Sequence, residues 1–374
     1  MVERVRFAVA LSEHPDAGVA IGEVVGQVLE RIGPGPDMAV LFLTAPHVAE
    51  AGRLGRVVRE TLGARHLLGA TAVSVLAHRQ EVEETSAMVL WAGHTGPVDL
   101  FRLEPGTPLP PDLGDGVSLL AIGDPFSFDA DALLASVPGG TTLVGGLASA
   151  GSRPGGNRLL LDDEVFTDGA VMAALPAGLG VRPLVSQGCR PVGDPFTVTA
   201  ATGNLIRELG GRPALTRLEE IMAGADDDER DLMRRGLHIG LVVDEHRGSF
   251  GLGDFIIRAV IGADRSSGAV AIGDSPEVGT TVQFHVRDAR TASAELAALV
   301  QPLRAESALV FTCNGRGSHL FGRSGHDAEH LADGLDTTVL GGMFCAGEMG
   351  PIGGRHFLHG FTASALLFGV EDAD

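Results

Sequence analysis

Between Cys313 and Glu348 the chain carries its densest set of groups able to do chemistry. The string TCNGRG places the thiol of Cys313, the amide of Asn314 and the guanidinium of Arg316 in one short loop, and LGGMFCAGEMGPIGG adds Cys345 and Glu348. A thiol acts as a nucleophile only as thiolate, which requires a cation or a helix N-terminus nearby. Arg316 and His319 are the candidates for that cation. Arg316 also presents a planar fork of donors that matches a carboxylate, whether a ligand's or the protein's own in a structural ion pair. Glu348 and Arg355 flank a hairpin turn and read as a local ion pair. His326 and His330 lie four apart on a predicted helix, with His356 and His359 further on, but there is no HExxH order, and a zinc site needs three or four convergent ligands. No metal is assigned. Around Ser149, GLASAG lacks the GxSxG elbow, so this serine reads as a small packing residue. The glycines at 315, 317 and 322 form neither GxGxxG nor GxxxxGK[ST]. No catalytic residue and no cofactor follow from these patterns, which favours binding over chemistry.

Those groups must be held by the elements around them. The run from Ala308 to Thr312 has the length and β-branched character of a buried strand, and Gly315 and Gly317 turn the chain after it. Arg316 is thereby placed on a strand-end loop, where ligand contacts concentrate. A helix over His326 to Leu335 follows, with Ala328, Leu331, Ala332 and Leu335 on one face, then a strand over 337–340 and the pair Gly341 and Gly342. Upstream the grammar is similar. Strands are expected at Phe7–Ser12 and Ala39–Leu43, helices at Asp16–Ile32 and Ala49–Leu62, and Gly33 to Pro36 end the first helix. Leu68–Leu76 and Ser86–Trp91 read as a hairpin, Gly93–Gly116 as a surface loop, and Ser118–Ile122, Phe128–Val137 and Thr141–Ala148 as strand, helix and strand. Pro183–Thr199 is strand-like. Ala200–Leu209 reads as a helix, Leu237–Val243 and Phe255–Ile261 as strands, Val270–Ile272 with Thr281–Arg287 as a hairpin, and Ala292–Leu303 as a helix.

This alternation predicts an α/β fold. Laid side by side, LVGGLASAG with its later TDGAVMAAL matches LGGMFCAGE with its later LHGFTASALL, and the preceding strands match at nearly constant separation. The expectation is therefore two related halves, each a mixed β-sheet covered by helices, with an internal duplication.

TCNGRG, LGGMFCAGEMGPIGG and FLHGFTAS together resemble the C-terminal part of FIST sensory proteins, named for F-box and intracellular signal transduction. SQGCRPVGDPFTVT, from Ser186 to Thr199, resembles the end of the family's N-terminal part, and GDFIIRAVIGAD with GTTVQFHVRDA the start of its C-terminal part. The resemblance implies an N-terminal domain over 1–214, a C-terminal domain over 215–374, and a stand-alone sensory module that binds a small ligand such as an amino acid or similar metabolite in signal transduction. Asn314, Arg316, Gly317, Cys345 and Glu348, with Arg190 from the other half, are the candidate ligand-binding residues. FIST regions are often joined to a kinase, cyclase, chemoreceptor or F-box segment; this chain has no room for one, so its signal is expected to pass to a separate signalling protein. A cysteine-dependent enzyme using Cys313 or Cys345, or an interaction scaffold without a small ligand, are the alternatives.

Composition narrows the partners. The 374 residues are 44 % hydrophobic and 20 % charged, a globular balance with room for two domains. A formal charge of −20 argues against nucleic acid and anionic membranes as partners, since phosphate contacts need clustered Lys and Arg. No secretory signal and no run long enough to span a bilayer is visible, so membrane insertion is not expected and the location is read as cytoplasmic. Cys189, Cys313 and Cys345 are an odd, widely spaced set, expected as reduced thiols.

Overall fold

A computed structural model describes residues 6–111, 113 and 116–373. The chain packs as two compact units, one running to Val185 and resuming at Leu296, the other formed by Ser186–Glu295. The α/β class with mixed sheets is the one observed.

The first unit opens with β1 (Phe7–Ser12), α1 (Ala17–Ile32), β2 (Met38–Leu43), α2 (Ala51–Leu62), β3 (His66–Thr71), a hairpin of β4 (Val75–Ala77) and β5 (Gln80–Val82), and β6 (Met88–Gly93). Helix α1 starts where expected because the Asp16 carboxylate accepts the N–H groups of Gly18 and Val19, both at 2.9 Å. A second round follows as β7 (Asp99–Leu103), β8 (Ser118–Gly123), α3 (Ala130–Ser136), β9 (Thr142–Leu147), a hairpin of β10 (Leu159–Leu161) and β11 (Glu164–Phe166), β12 (Ala170–Leu175), and then β13 (Arg182–Ser186). Strand β7 lies inside the stretch read from sequence as a loop, part of which falls outside the described residues.

The second unit comprises β14 (Cys189–Thr202), β15 (Leu205–Leu209), β16 (Arg212–Pro213), α4 (Ala214–Gly224), α5 (Asp227–Arg235), β17 (Leu237–Val242), β18 (Phe255–Asp264), β19 (Ala269–Ile272) and β20 (Thr281–Arg287). Its strands run in the order β14-β20-β17-β18-β19-β15, and β15 pairs again with β14, so the sheet closes on itself. Strand β14 manages this through register shifts after Val192 and after Val198, which let its two halves serve different neighbours. The helix expected at Ala200–Leu209 is instead a hairpin turn between β14 and β15. Gly203 takes a left-handed φ of 56° there, and strand pairing buries Ile206 and Leu209 in this unit's own core. The expected hairpin of 270–272 with 281–287 does not form either; β19 pairs with β18 and β15, and β20 with β14 and β17.

After α6 (Ala289–Val300) and the short β21 (Leu303–Arg304), the first unit completes a third round: β22 (Ser307–Cys313), α7 (Ser318–Phe321), α8 (His326–Leu335), β23 (Leu340–Cys345), a hairpin of β24 (Glu348–Ile352) and β25 (Arg355–His359), and β26 (Ala363–Phe368), closed by β27 (Glu371–Asp372) against β21. Three six-stranded sheets result, ordered β11-β10-β3-β2-β6-β1, β25-β24-β9-β8-β12-β7 and β5-β4-β23-β22-β26-β13. The order is the same each time. The inner pair, β2 with β3, β8 with β9 and β22 with β23, is parallel. Each hairpin leaves its own round and completes another sheet, so the three are linked in a ring. The similarity between residues around 118–147 and 307–345 is thus real, and the first round is a further copy.

Close approach between strands explains the glycines these copies share. A Cβ on Gly69, Gly145 or Gly342 would lie 2.3, 1.8 or 2.1 Å from the carbonyl oxygen of Leu41, Ala121 or Val310 respectively. Structure therefore aligns Gly145 with Gly342, one residue away from the pairing with Gly341 that the strings suggest. The inner faces of all three sheets share one core that includes Phe42, Trp91, Leu120, Val144, Phe311 and Met343, while α1 and α2, α3, and α8 cover the outer faces. Burial of each such side chain stabilises by ~1.5–3 kcal/mol, and the Trp91 indole N–H is satisfied by Ser307 Oγ at 2.7 Å. Where β3, β9 and β23 end, they are tied together. Ser149 N–H donates to Thr71 O at 3.2 Å and Ala346 N–H to Leu147 O at 3.0 Å. The third link passes through the Ser149 hydroxyl, which accepts from Val73 N–H at 3.0 Å and donates to Phe344 O at 2.6 Å.

Candidate functional site around Cys313 and Glu348

The parallel pair β22 and β23 positions the site. Its register sets Cys313 directly beside Cys345, and Asn314 N–H donates to Cys345 O at 3.0 Å, continuing the pairing one residue beyond the strand. Gly317, at φ 54°, then turns the chain; a Cβ there would lie 2.7 Å from Glu83 Oε1. Glu83, just after the hairpin that belongs to the first round, accepts from Ser318 N–H at 3.0 Å and from its hydroxyl.

Arg316 is fully buried. Its Nε donates to Asp327 Oδ2 at 2.7 Å and its Nη2 to Asp327 Oδ1 at 2.8 Å, while Nη1 reaches Phe361 O at 3.3 Å. Of the two readings of this side chain, the structure displays the ion pair. Thr312 Oγ1 donates to Asp327 Oδ2 at 2.8 Å, and His326 Nδ1 lies 2.9 Å from Oδ1. Burial works to raise the Asp327 carboxyl, but the Arg316 charge and the hydrogen bonds from His326, Arg316 and Thr312 outweigh it and hold the group below the usual carboxylate range. Glu81, on β5, caps α8 by accepting from Gly325 N–H at 2.8 Å and from Asp327 and Ala328 N–H at 2.9 and 3.2 Å. Its burial, and secondly the charge of Asp327, push its pKa up to about 7.

Glu348 is also fully buried. Both Thr362 donors use its Oε2, the backbone N–H at 3.1 Å and the hydroxyl at 2.8 Å. The Cys313 thiol lies against the carboxyl group, and Oε1 has no hydrogen-bond partner of its own. Burial pushes the Glu348 pKa up to about 8. The ion pair read for Glu348 with Arg355 does not form: in the β24–β25 hairpin Glu348 faces His359, and Arg355, at the exposed turn, faces Ile352. Cys345 is fully buried, and burial, then the neighbouring Glu348 and Cys313, raise its thiol well above the ordinary value. Asn314 is half-buried, with Oδ1 lacking a partner.

Five of the six residues singled out in the sequence thus meet at one strand end. Arg190 lies in the second unit, where it pairs with Glu229 at 2.9 Å and Asp288 at 3.6 Å in a cleft of about 510 Å³ that Arg235 and Arg290 also line. A roomier hollow of about 870 Å³, among Pro108, Pro110, Pro138 and Gly139, gathers no titratable side chains among the described residues and is not a candidate. Sequence reasoning missed Glu81, Asp327 and Thr362. For Asp327 a signal existed, an opposite charge in the first turn of a predicted helix just after Arg316; for Glu81, on a hairpin far upstream, there was none.

Residues 37–212 match the FIST N domain and residues 214–351 the FIST C domain. The chain is 42 % identical over 388 residues to an uncharacterized protein of Mycobacterium bovis, covering 99 % of this chain and 100 % of that protein. It is also 42 % identical over 382 residues to an uncharacterized protein of Mycobacterium tuberculosis, covering 97 % of this chain and 99 % of that one. No helix among the described residues is long and apolar enough to cross a membrane.

Proposed function

Because this chain belongs to the FIST family, whose domains mark sensory modules of signal transduction, we propose that it binds a small polar metabolite, an amino acid or a close analogue, at the strand end that carries Asn314, Gly317, Cys345 and Glu348. One observation carries this reading: Asn314 Oδ1 and Glu348 Oε1 are buried polar atoms without hydrogen-bond partners, beside Cys313. A buried polar atom left unpaired costs roughly 1–3 kcal/mol, and the ammonium group of an amino acid supplies donors to Asn314 and, once the Glu348 carboxyl gives up its proton, to Glu348. Arg316 serves such a site as the brace of its loop, through Asp327. Arg190 belongs to a cleft of the second unit lined by Asp226, Asp228 and Asp231, where Glu229 and Asp288 already pair with it. Binding shifts the population of conformers that a separate signalling protein reads.

The test is a thermal-shift screen of the twenty amino acids at millimolar concentration. A binder of the native state raises the apparent Tm, and a saturable rise with one or a few amino acids, lost in Asn314→Ala and Glu348→Gln, is expected. No rise with any of them, or a rise unchanged in both variants, overturns the assignment of ligand class and site.

A further inference from the structure

The cysteines of this strand end form a pair that ligand binding does not use up. Cys313 and Cys345 are register partners on adjacent parallel strands. Side chains of such partners project from the same face of the sheet, and neighbouring strands lie ~4.8 Å apart, inside the ~4.4–6.8 Å range of Cα separations that a disulfide spans. The face is an inner one, since Phe311 and Met343, two residues earlier on each strand, belong to the central core. Opposite lies Gly146: a Cβ there would come within 2.3 Å of Cys345 Sγ, so the buried sulfur has its place because that residue is glycine. Gly146 is in turn the register partner of Glu348. Two thiols and a carboxyl group therefore converge from two facing sheets.

Comparison of the three copies singles out this position. At the ends of β2, β8 and β22, the N–H groups of Thr44, Asp124 and Cys313 make the same bond, to the carbonyls of Ala87, Gly169 and Thr362. Ala72 and Ala148 stand where the third copy has Cys345, as their bonds to Leu43 O and Gly123 O show. A methyl group suffices for the fold twice; only the third copy sets sulfur in both places.

We propose that Cys313 and Cys345 are a peroxide-responsive thiol pair, with Cys313 the attacking sulfur, Cys345 the resolving one and Glu348 the group that moves the proton. Cys313 is the half-buried member and the one a solute meets first. Its thiol gives its proton to the Glu348 carboxylate; the thiolate attacks a hydroperoxide, the O–O bond breaks, and Glu348 returns the proton to the departing alkoxide or hydroxide. The products are the Cys313 sulfenic acid and an alcohol or water. Cys345 then attacks the sulfenic sulfur, an S–S bond forms, and the sulfenic hydroxyl leaves with the Cys345 proton as water. In total one peroxide is reduced by two electrons and two thiols become one disulfide. The high proton affinity that burial gives Glu348 suits it to accept a thiol proton and hand it on. This inference goes beyond the ligand-binding reading and does not depend on it.

The test uses the reduced full-length chain with a few equivalents of hydrogen peroxide at pH 7.5, quenching with N-ethylmaleimide, and peptide mapping without reductant. The expected product is a Cys313–Cys345 linked peptide, with Cys189 recovered alkylated. Cys345→Ser stops at a Cys313 sulfenic acid that dimedone traps, Cys313→Ser forms no bridge, and Glu348→Gln slows oxidation of Cys313 by at least ~10-fold. If Cys345→Ser does not fold, the wild-type map still decides. Recovery of both thiols alkylated, oxidation confined to Cys189, or a bridge that forms only in denaturant overturns the proposal. A chain that forms the bridge yet binds no amino acid rejects the ligand reading alone.

Discussion

Glu81 accepts the backbone N–H of Asp327 at 2.9 Å, so a carboxyl from the first round's hairpin caps a helix of the third. That contact places two acidic groups in one buried neighbourhood, and burial raises Glu81 to about 7 just as it raises Glu348 to about 8. Both therefore bind protons in the native state that the unfolded chain has already released. Stability from this source is greatest below their ordinary pKa of 4.5 and declines as pH climbs through 7 and 8. From pH 6.5 to 8.5 the loss is about 2–3 kcal/mol, measurable as a lower urea midpoint, and Glu348→Gln flattens the slope. A midpoint equal or higher at pH 8.5 contradicts the burial argument.

Arg316 meets Asp327 through a bidentate pair, and both are fully buried. Asp327→Asn leaves a charged guanidinium without its counter-ion and is expected to cost about 3–5 kcal/mol in urea unfolding. Arg316→Met with Asp327→Leu removes both charges together and is expected to cost much less than the single change. A single-variant loss under about 1 kcal/mol shows that water reaches the pair.

Backbone contact at Gly145 and Gly342 leaves no space for a methyl group. Alanine at either site is expected to destabilise by about 1–3 kcal/mol or more, because what it meets is a neighbouring carbonyl and not a movable side chain. Gly22→Ala, in α1 with nothing near the added carbon, is expected to stabilise by roughly 0.5–1 kcal/mol. Equal midpoints for the two kinds of variant refute the close-approach argument.

The hydroxyl of Ser149 is a bridge in the ring that ties three strand ends together, not merely a small group. Ser149→Ala keeps the size but leaves Val73 N–H without its acceptor, at a cost of about 1–3 kcal/mol. Hydrogen exchange at the Val73 amide reads this directly: protection is expected to fall in the variant, and unchanged protection dismisses the bridge.

Local order was well represented in the sequence and long-range exchange was not. The helix over His326–Leu335 forms with those bounds, and α2 and β2 lie within two residues of their expected limits. Their apolar spacing is set by the face each element buries, and that is written along the chain. Three rounds could not be read as readily, because the first shares only Gly69 with the glycine pairs of the others, and the hairpins join sheets distant in sequence. Residues 200–209 misled because small and aliphatic side chains over so short a span fit both periods, and pairing with β14 and β19 selects the strand. At the site, the strings located five residues that do meet, but the part played by Glu81 depends on a contact across more than two hundred residues.

Because the hairpin of residues 75–82 seats itself beside β23, the earliest third of the polypeptide waits on its closing stretch. A nascent chain still tethered to the ribosome with residues past 340 inside the exit tunnel has apolar edges from Val75, Leu76 and Val82 and no strand to receive them. Emergence of β23, rather than of the hairpin itself, is the step that lets this edge find its partner. A chaperone that shields the amino-terminal part until residues 340–345 are available would meet that need.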